Sequence, residues 1–314
     1  MELTIGVDVG GTKIAAGVVD STGKIVRQVR VATPGGTANA LDDSIVHAVT
    51  ELLTTHSVEA VGVAAAGFVD EKRKTVRFAP NLLWRDRPLA RLLGERLDLP
   101  VVVENDANAA AWAEFQFGAG HDVNDMVLIT VGTGLGGGIV LDGRVLRGAW
   151  GIAAEMGHVR MVPGGLPCGC GQHGCWEQYA SGRALVRMAR ELALSDQSAA
   201  AAILKPAGGD ADGLEGWMVT AAAMAGDPAG VELLAELGRW LGEGIADVAD
   251  VLDPAVVVIG GGVAEAGDLL LDPARAAFAR CLSGGEYRPH LAIEGAALGN
   301  DAGIIGAADL ARHP

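Results

Sequence analysis

The chain has 314 residues, with 24 Lys or Arg against 39 Asp or Glu, and it carries a formal net charge of −15 with 50% hydrophobic residues. This composition excludes a largely disordered chain and predicts about two folded domains. The acidic charge would repel phosphate backbones and anionic lipids, so we expect no binding to nucleic acid or to a membrane surface. The longest apolar runs reach about half of the roughly 20 residues that span a bilayer. Because the N-terminus also lacks a secretory signal pattern, we expect a cytoplasmic protein.

The first elements of the chain are predicted to be strands joined by glycine-containing turns. Residues 3–31 alternate β-branched and small residues around turns at 9–12 and 20–23, which predicts three strands. The same pattern returns at residues 126–146, where a strand enters Gly132–Gly138 and a second strand turns at Asp142-Gly143. Two such units predict a duplicated, layered α/β fold.

The second half of the chain shows clearer helical signals. Asp227-Pro228 predicts the start of a helix that continues to Leu252. A buried strand at 255–259 then ends in Gly260–Gly262, before a helix predicted from near Ala264. Residues 195–216 are predicted to be a surface excursion, to which we assign no function.

A glycine-rich turn follows the first strand and could hold a phosphate. Asp8 ends this strand, and the turn itself comprises Gly10, Gly11, Thr12 and Lys13. Backbone N–H groups and the Thr12 hydroxyl could bind phosphate, while Asp8 could hold a hydrated Mg²⁺. The alternative is an ordinary hairpin turn, but its repetition at residues 132–138 favours a phosphate site. A P-loop is not favoured, because Lys13 follows Thr12, whereas a P-loop lysine directly follows its glycine.

Two further glycine clusters follow predicted strands. Gly132-Thr133-Gly134 begins a match to the dinucleotide-binding pattern that ends at Gly137, but the residues that follow predict a hairpin where that pattern requires a helix. An NAD enzyme is therefore not favoured. Together with Gly260, Gly261 and Gly262, these clusters predict a nucleotide site, with phosphates on the two hairpins and the nucleoside near the third cluster.

An amide and a carboxylate follow the buried strand at residues 100–104. Asp106 could accept a hydroxyl proton during phosphoryl transfer while Asn105 holds a neighbouring hydroxyl. The alternative is that one of them only caps the helix predicted at 107–117. The residues alone do not separate these two hypotheses.

A cysteine cluster gives the most specific signal in the sequence. His158, Cys168, Cys170 and Cys175 can close a tetrahedral zinc site, whereas Cys281 stands alone. Four protein ligands indicate a structural zinc. A zinc-ribbon nucleic-acid module is disfavoured, because the loop that carries these ligands has almost no Lys or Arg and the chain has a net charge of −15. Glu155, Glu177 and the second nitrogen of His158 could then recognise several hydroxyls, as on a sugar. The alternative for each Glu is a solvated surface carboxylate.

These motifs, in this order, resemble the ROK family of repressors, open reading frames and kinases. The resemblance is carried by Asp8-x-Gly-Gly-Thr-Lys13, Glu104-Asn-Asp106, Gly132-Thr-Gly-x-Gly-Gly-Gly138, Glu155-x-Gly-His158 and Cys168-x-Cys-Gly-x-x-Gly-Cys175-x-Glu177. Residues 168–182 are most similar to those of the bacterial ATP-dependent glucokinases. The resemblance implies an actin-like, hexokinase-type (duplicated ribonuclease H-like) fold with a cleft between two domains. The expected domains are residues 1–110 plus 301–314, and residues 111–300 with the zinc motif.

The resemblance also implies roles for individual residues in phosphorylation of the glucose 6-hydroxyl. Asp106 would be the base. Gly67, Asn105, Glu155, His158 and Glu177 would hold the sugar, and the four zinc ligands would be those named above. ATP with Mg²⁺ would lie against Gly10–Lys13, Gly132–Gly134 and Gly260–Gly262.

Other functions within the same family stay open. The phosphate motif begins at Asp8, so we expect no N-terminal helix-turn-helix of a repressor. A sugar sensor without activity, or a kinase for N-acetylglucosamine, N-acetylmannosamine, mannose or fructose, is the alternative. The resemblance suggests a homodimer or a homotetramer.

Overall fold

The computed structural model describes residues 2–312, which form two compact units. Within the described residues, unit 1 comprises 2–128, 138–154 and 297–312, and unit 2 comprises 129–137 and 155–296. These bounds differ from the predicted domain bounds: residues 111–128, 138–154 and 297–300, which were expected in the second domain, belong to unit 1.

Helices and strands alternate along much of the chain. The strands are β1 (Thr4–Val9), β2 (Lys13–Val19), β3 (Ile25–Ala32), β4 (Val61–Ala65), β5 (Phe68–Val69), β6 (Val76–Phe78), β7 (Arg85–Arg87), β8 (Val101–Asn105), β9 (Met126–Val131), β10 (Leu135–Leu141), β11 (Arg144–Val145), β12 (Val256–Gly260) and β13 (Ala292–Gly295). The α-helices are α1 (Ala38–Leu53), α2 (Leu89–Leu97), α3 (Asp106–Phe117), α4 (Gly182–Ser195), α5 (Ala201–Leu204), α6 (Gly216–Met224), α7 (Pro228–Leu252), α8 (Asp268–Cys281) and α9 (Ala302–Leu310). Short 3₁₀ turns lie at Met156–His158, Trp176–Gln178, Lys205–Ala207, Gly262–Ala266, Gly285–Tyr287 and Gly299–Asp301.

Two five-stranded sheets have the same internal order. The first runs β3-β2-β1-β4-β8 and the second β11-β10-β9-β12-β13, and a three-stranded sheet β5-β6-β7 is separate. In the first sheet, β1 pairs antiparallel with β2 and parallel with β4, which pairs parallel with β8. The second sheet repeats the antiparallel pairing at β10–β11 and the parallel pairing at β12–β13. This repeat confirms the predicted α/β class and agrees with the predicted duplication.

Close packing of α9 on the first sheet depends on glycines. A Cβ on Gly6 would lie 1.8 Å from the Ile304 carbonyl oxygen, and one on Gly62 would lie 1.8 Å from that of Ala307. The helix can therefore lie against β1 and β4 only where these strands have no side chain. On the same sheet, a core of aliphatic side chains includes Ile5, Val63 and residues of α1 and α2.

Most predicted elements are present, and one helix start was wrong. The helix predicted from near Ala264 is a 3₁₀ turn there, and α8 begins at Asp268, because Gly267 with φ +58° interrupts the helical path. The start of α7 is confirmed, with the Asp227 carboxylate accepting from the Gly230 amide at 2.9 Å. Within residues 2–312, no helix is both long and apolar enough to span a membrane.

Candidate functional site

In unit 1, Asn105 and Asp106 stand where β8 ends and α3 begins. Asn105 is the N-cap of α3, and its Oδ1 accepts from the Asn108 amide at 3.0 Å. Its Nδ2 donates to the Gly67 carbonyl and to Asp106 Oδ1, both at 3.1 Å. The Ala107 amide also donates to Asp106 Oδ1 at 3.0 Å. The cap is therefore Asn105, and Asp106 is oriented at a helix N-terminus, a position that favours negative charge.

A buried ionic network lies directly behind this pair, and the sequence did not reveal it. Glu104 Oε2 accepts from Arg147 Nε at 2.8 Å and lies 3.6 Å from Arg73 Nε. Burial lowers the pKa of the Arg73 guanidinium, the Arg147 charge lowers it further, and Glu104 opposes both effects. A glutamate near the end of an apolar strand indicates that a positively charged side chain must be buried beside it. The sequence cannot say which arginine supplies it.

The first glycine turn connects β1 to β2, as predicted. The Gly10 amide donates to the Lys13 carbonyl at 3.0 Å, and Gly11, Thr12 and Lys13 are exposed. Burial raises the pKa of the Asp8 carboxyl, and Lys13 opposes that shift. The Asp8 carboxylate adjoins the start of α9, because a Cβ on Gly303 would lie 3.1 Å from Asp8 Cγ. The turn thus presents backbone groups and a lysine beside a partly desolvated carboxylate.

In unit 2, the second glycine turn is held by the start of α4. The Gly182 amide donates to the Gly132 carbonyl at 2.8 Å, and the Gly132 amide donates to the Gly134 carbonyl at 3.0 Å. The strand β10 follows at once, which confirms that a hairpin replaces the helix of a dinucleotide fingerprint. Gly261, with φ +88°, adjoins the end of β9, because its Cβ would lie 2.6 Å from the Val131 oxygen.

A cavity with a volume of about 920 Å³ opens beside this turn. Trp217, on its wall, is 57% exposed, and its Nε1 donates to Glu215 Oε2 at 2.6 Å. We assigned no function to residues 195–216, yet the end of that segment reaches the cavity, and nothing local in the sequence signals this proximity. The lining includes Gly132, Thr133, Gly182, Arg183, Val186, Leu214, Glu215, Gly216, Trp217, Gly262 and Val263.

Of the two predicted sugar-binding carboxylates of unit 2, Glu177 contacts the same glycine turn, and Glu155 interacts with Glu177. Desolvation raises the pKa of Glu155, His158 opposes this shift, and the Glu177 charge adds to it. Glu177 Oε1 accepts from Arg183 Nη2 at 3.3 Å, and its Oε2 would lie 2.6 Å from a Cβ on Gly134. Glu177 is therefore a buried carboxylate that contacts the turn, and the solvated alternative is wrong for this residue.

The predicted metal ligands come together in unit 2. The ligand atoms of His158, Cys168, Cys170 and Cys175 all lie within 4.8 Å of one another. His158 Nδ1 is 3.7 Å from Cys168 Sγ, and the sulfurs of Cys170 and Cys175 are 3.6 Å apart. Ligand atoms about 2.1–2.3 Å from a tetrahedral zinc have separations of this order, so the four residues fit that ion.

The protonation of these thiols would change if a cation were bound. Burial and the neighbouring Cys170 and Cys168 thiols raise the pKa of Cys175 to about 12. A metal ligand must be a thiolate, so a divalent cation would supply the charge that this cluster needs. Cys281 is exposed at the end of α8 and is not a member of the cluster.

Comparison with known proteins identifies the family. Residues 4–313 match the model of the ROK family. The chain belongs to the ROK family. This ROK chain has the actin-like sugar-kinase fold that the sequence predicts.

Similar proteins include sugar kinases of more than one specificity. The chain is 52% identical to the glucokinase of Streptomyces coelicolor over 100% of this chain and 99% of that protein. It is 36% identical to the N-acetylmannosamine kinase of Escherichia fergusonii over 98% of each chain. The crystal structure of a ROK family glucokinase from Streptomyces griseus with glucose and AMPPNP matches with a TM-score of 0.91 and 55% identity, over 99% of this chain and 100% of that one.

Proposed function

We propose that this chain is a glucokinase, which transfers the γ-phosphoryl group of ATP to the 6-hydroxyl of glucose and releases ADP and glucose 6-phosphate. The observation that carries the proposal is the Asn105–Asp106 pair, oriented at the N-terminus of α3. The similarity to the Streptomyces coelicolor glucokinase supports the choice of glucose.

Within the proposed reaction, Asp106 is the general base. Its carboxylate accepts the proton of the 6-hydroxyl as the oxygen attacks the γ-phosphorus, and the Asn105 and Ala107 N–H groups orient it. Asn105 and the backbone at Gly67 hold neighbouring sugar hydroxyls. Glu155 and Glu177 supply further hydroxyl contacts, since carboxylates accept hydrogen bonds from hydroxyls. The ring nitrogen of His158 that is not a metal ligand carries a proton and donates to a hydroxyl oxygen.

The nucleotide is assigned to the glycine turns. Gly10, Gly11, Thr12 and Lys13, with Gly132, Thr133 and Gly134, hold the ATP phosphates through backbone N–H groups and the lysine charge. The cavity beside Gly132 accepts the nucleoside, with Gly260, Gly261 and Gly262 at its edge. Asp8 is the residue that would hold Mg²⁺. A bound Mg²⁺ would neutralise the charge that develops on the phosphates during transfer.

We assign the cluster of His158, Cys168, Cys170 and Cys175 to a structural Zn²⁺. Four protein ligands leave no open position at which the ion could activate water. Its contribution is to fix the loop from which Glu177 and His158 project. The homodimeric or homotetrameric state and the cytoplasmic location stay predictions.

The specificity for glucose is the part of the proposal that has a competitor. The N-acetylmannosamine kinase of Escherichia fergusonii matches over 98% of its length, so a kinase for that sugar is the second candidate. N-acetylglucosamine, mannose and fructose complete the alternatives, and a sugar sensor without activity is the alternative outside catalysis.

The test is release of ADP from Mg-ATP with each of glucose, mannose, N-acetylglucosamine, N-acetylmannosamine and fructose. We expect the highest kcat/KM with glucose. Asp106→Asn keeps an oxygen that can accept both hydrogen bonds, so it should still bind glucose in calorimetry while kcat falls by about 10²- to 10⁴-fold. The matched control is Asp227→Asn, which replaces the carboxylate at the start of α7 and should leave kcat unchanged.

The outcomes separate the hypotheses. Higher kcat/KM with another hexose would keep the proposed base and overturn glucose as the substrate. Normal turnover by Asp106→Asn would remove Asp106 from the mechanism. Hexose binding with no ADP release from any sugar would favour the sensor.

A further inference from the structure

Glu104 is the carboxylate that holds the start of α3 from behind. Its side chain is only 4% exposed. Oε1 accepts from the Asn105 backbone amide and from Asn108 Nδ2, each at 3.1 Å. One oxygen of Glu104 therefore contacts residues on both sides of Asp106 along the chain.

The other oxygen of Glu104 receives Arg147. Arg147 donates from Nε to Oε2 at 2.8 Å, its Nη2 lies 2.7 Å from the same oxygen in an ion pair, and Arg73 lies nearby. The Arg147 carbonyl accepts from the Ala153 amide at 3.1 Å, which closes residues 147–153 into a loop. That loop immediately precedes Glu155 in the sequence. The ion pair thus attaches the loop to the residues that carry Asp106.

Stability alone does not account for such a pair. Two charges lose much of their hydration on burial, and a buried ion pair is often no more stabilising than apolar residues of similar volume. What the pair supplies is a fixed orientation, since the guanidinium and both carboxylate oxygens are held by hydrogen bonds in defined directions. The groups that it orients are Asn105 and the first turn of α3.

We propose that Glu104 and Arg147 act together as positioning residues, which align Asn105 and Asp106 for phosphoryl transfer. Neither residue is assigned contact with substrate. This inference rests on the proposed function, because it gives Asp106 the role of base. A base displaced by about 1 Å can lose on the order of 100-fold in rate, so the alignment matters even though the two residues take no part in the chemistry.

The experiment compares Glu104→Gln, Arg147→Lys and the double variant with Asp42→Asn. Asp42 is a matched control in unit 1, because its side chain is 2% exposed and accepts from Arg87, which is 23% exposed, as Arg147 is. It also accepts from Trp84 Nε1 at 3.0 Å, and it has no assigned role in the site. The measurements are kcat, KM for glucose and ATP, the unfolding midpoint, and hydrogen exchange of the amides at 105–108.

We expect Glu104→Gln and Arg147→Lys to lower kcat by about 10- to 100-fold with KM for ATP unchanged. Exchange of the amides at 105–108 should become faster in both variants. The double variant should be no slower than the slower single variant, because the two residues form one unit. Asp42→Asn should lower the unfolding midpoint to a similar degree while its kcat and the exchange at 105–108 stay as in the unmodified chain.

Two results would overturn the inference. One is a Glu104→Gln chain that loses stability as Asp42→Asn does but keeps its kcat. The other is unchanged exchange at 105–108 in both variants. If the unmodified chain releases no ADP with any hexose, the proposed function fails by itself, and the exchange measurement still decides whether Glu104 and Arg147 hold these residues.

Discussion

A single methyl group added at Gly134 should displace Glu177, a residue of the proposed sugar site, without unfolding the chain. The new Cβ of a Gly134→Ala chain would lie 2.6 Å from Glu177 Oε2, where ordinary contact begins near 3.4 Å, so the carboxylate must retreat by about 0.8 Å. The next nearest atom is Arg183 Nη2 at 3.7 Å, and Gly134 has no positive φ, so the backbone accepts alanine. The far end of a side chain can yield, and we expect a stability loss below about 1 kcal/mol.

The loss of function should be much larger than the loss of stability. If Glu177 holds a sugar hydroxyl, its displacement should lower kcat/KM for glucose by about 10- to 100-fold. The assay is ADP release over a range of glucose at saturating ATP, and then over a range of ATP at saturating glucose. The control is Gly35→Ala, because a Cβ there meets nothing within 4 Å. A Gly134→Ala chain in which only KM for ATP changes would refute the reasoning, since the methyl group would then act on the phosphates and not on Glu177.

Three other predictions concern packing, metal and nucleotide. Gly62→Ala places a Cβ 1.8 Å from a backbone oxygen of α9 and should lower the free energy of unfolding by about 1–3 kcal/mol or more, which urea titration beside Gly35→Ala would measure. If the cysteine cluster holds zinc, a chelator should release the ion and lower the unfolding midpoint, and Cys175→Ser should lose zinc in elemental analysis while Cys281→Ser keeps it. Equal zinc content in the two variants would contradict the assignment. Trp217→Ala should raise KM for ATP by roughly 2- to 12-fold, from a lost aromatic contact of about 0.5–1.5 kcal/mol, and an unchanged KM would remove the indole from the nucleoside site.

Local signals in the sequence were sufficient for much of the fold. Glycine turns between short runs of β-branched residues predicted the hairpins at Gly10 and Gly132, because both the turn and its strands are specified within a few residues. The grouping of His158 with the three cysteines was predicted for the same reason, since these residues lie close together in sequence. The start of α8 was missed because Gly267 interrupts a segment whose apolar pattern continues through it.

Partners that are distant in sequence could not be predicted. The position of Glu104 at the end of an apolar strand indicates that a cation must lie nearby, but the choice of Arg147 and Arg73 depends on where β11 and the loop before β6 pass. The same holds for Trp217, which reaches the cavity beside Gly132 through the packing of α4 and α6. Contacts between residues that are distant in sequence leave no periodic pattern in a single sequence, so the sequence does not predict them.

The two five-stranded sheets share their strand order but carry different residues at the ends of corresponding strands. By position in the sheet, β13 corresponds to β8, yet β8 ends at Asn105, directly before Asp106, whereas β13 ends in Gly295. The chain beyond β13 enters unit 1, where the buried Glu114 carboxylate accepts from the backbone amides of residues 297 and 298 at 3.1 and 2.8 Å. Both sheets keep a glycine turn after their central strand, and the proposed phosphate contacts would need only backbone N–H groups, which either turn can supply. A base needs one defined carboxylate, and only the first sheet supplies it at this position.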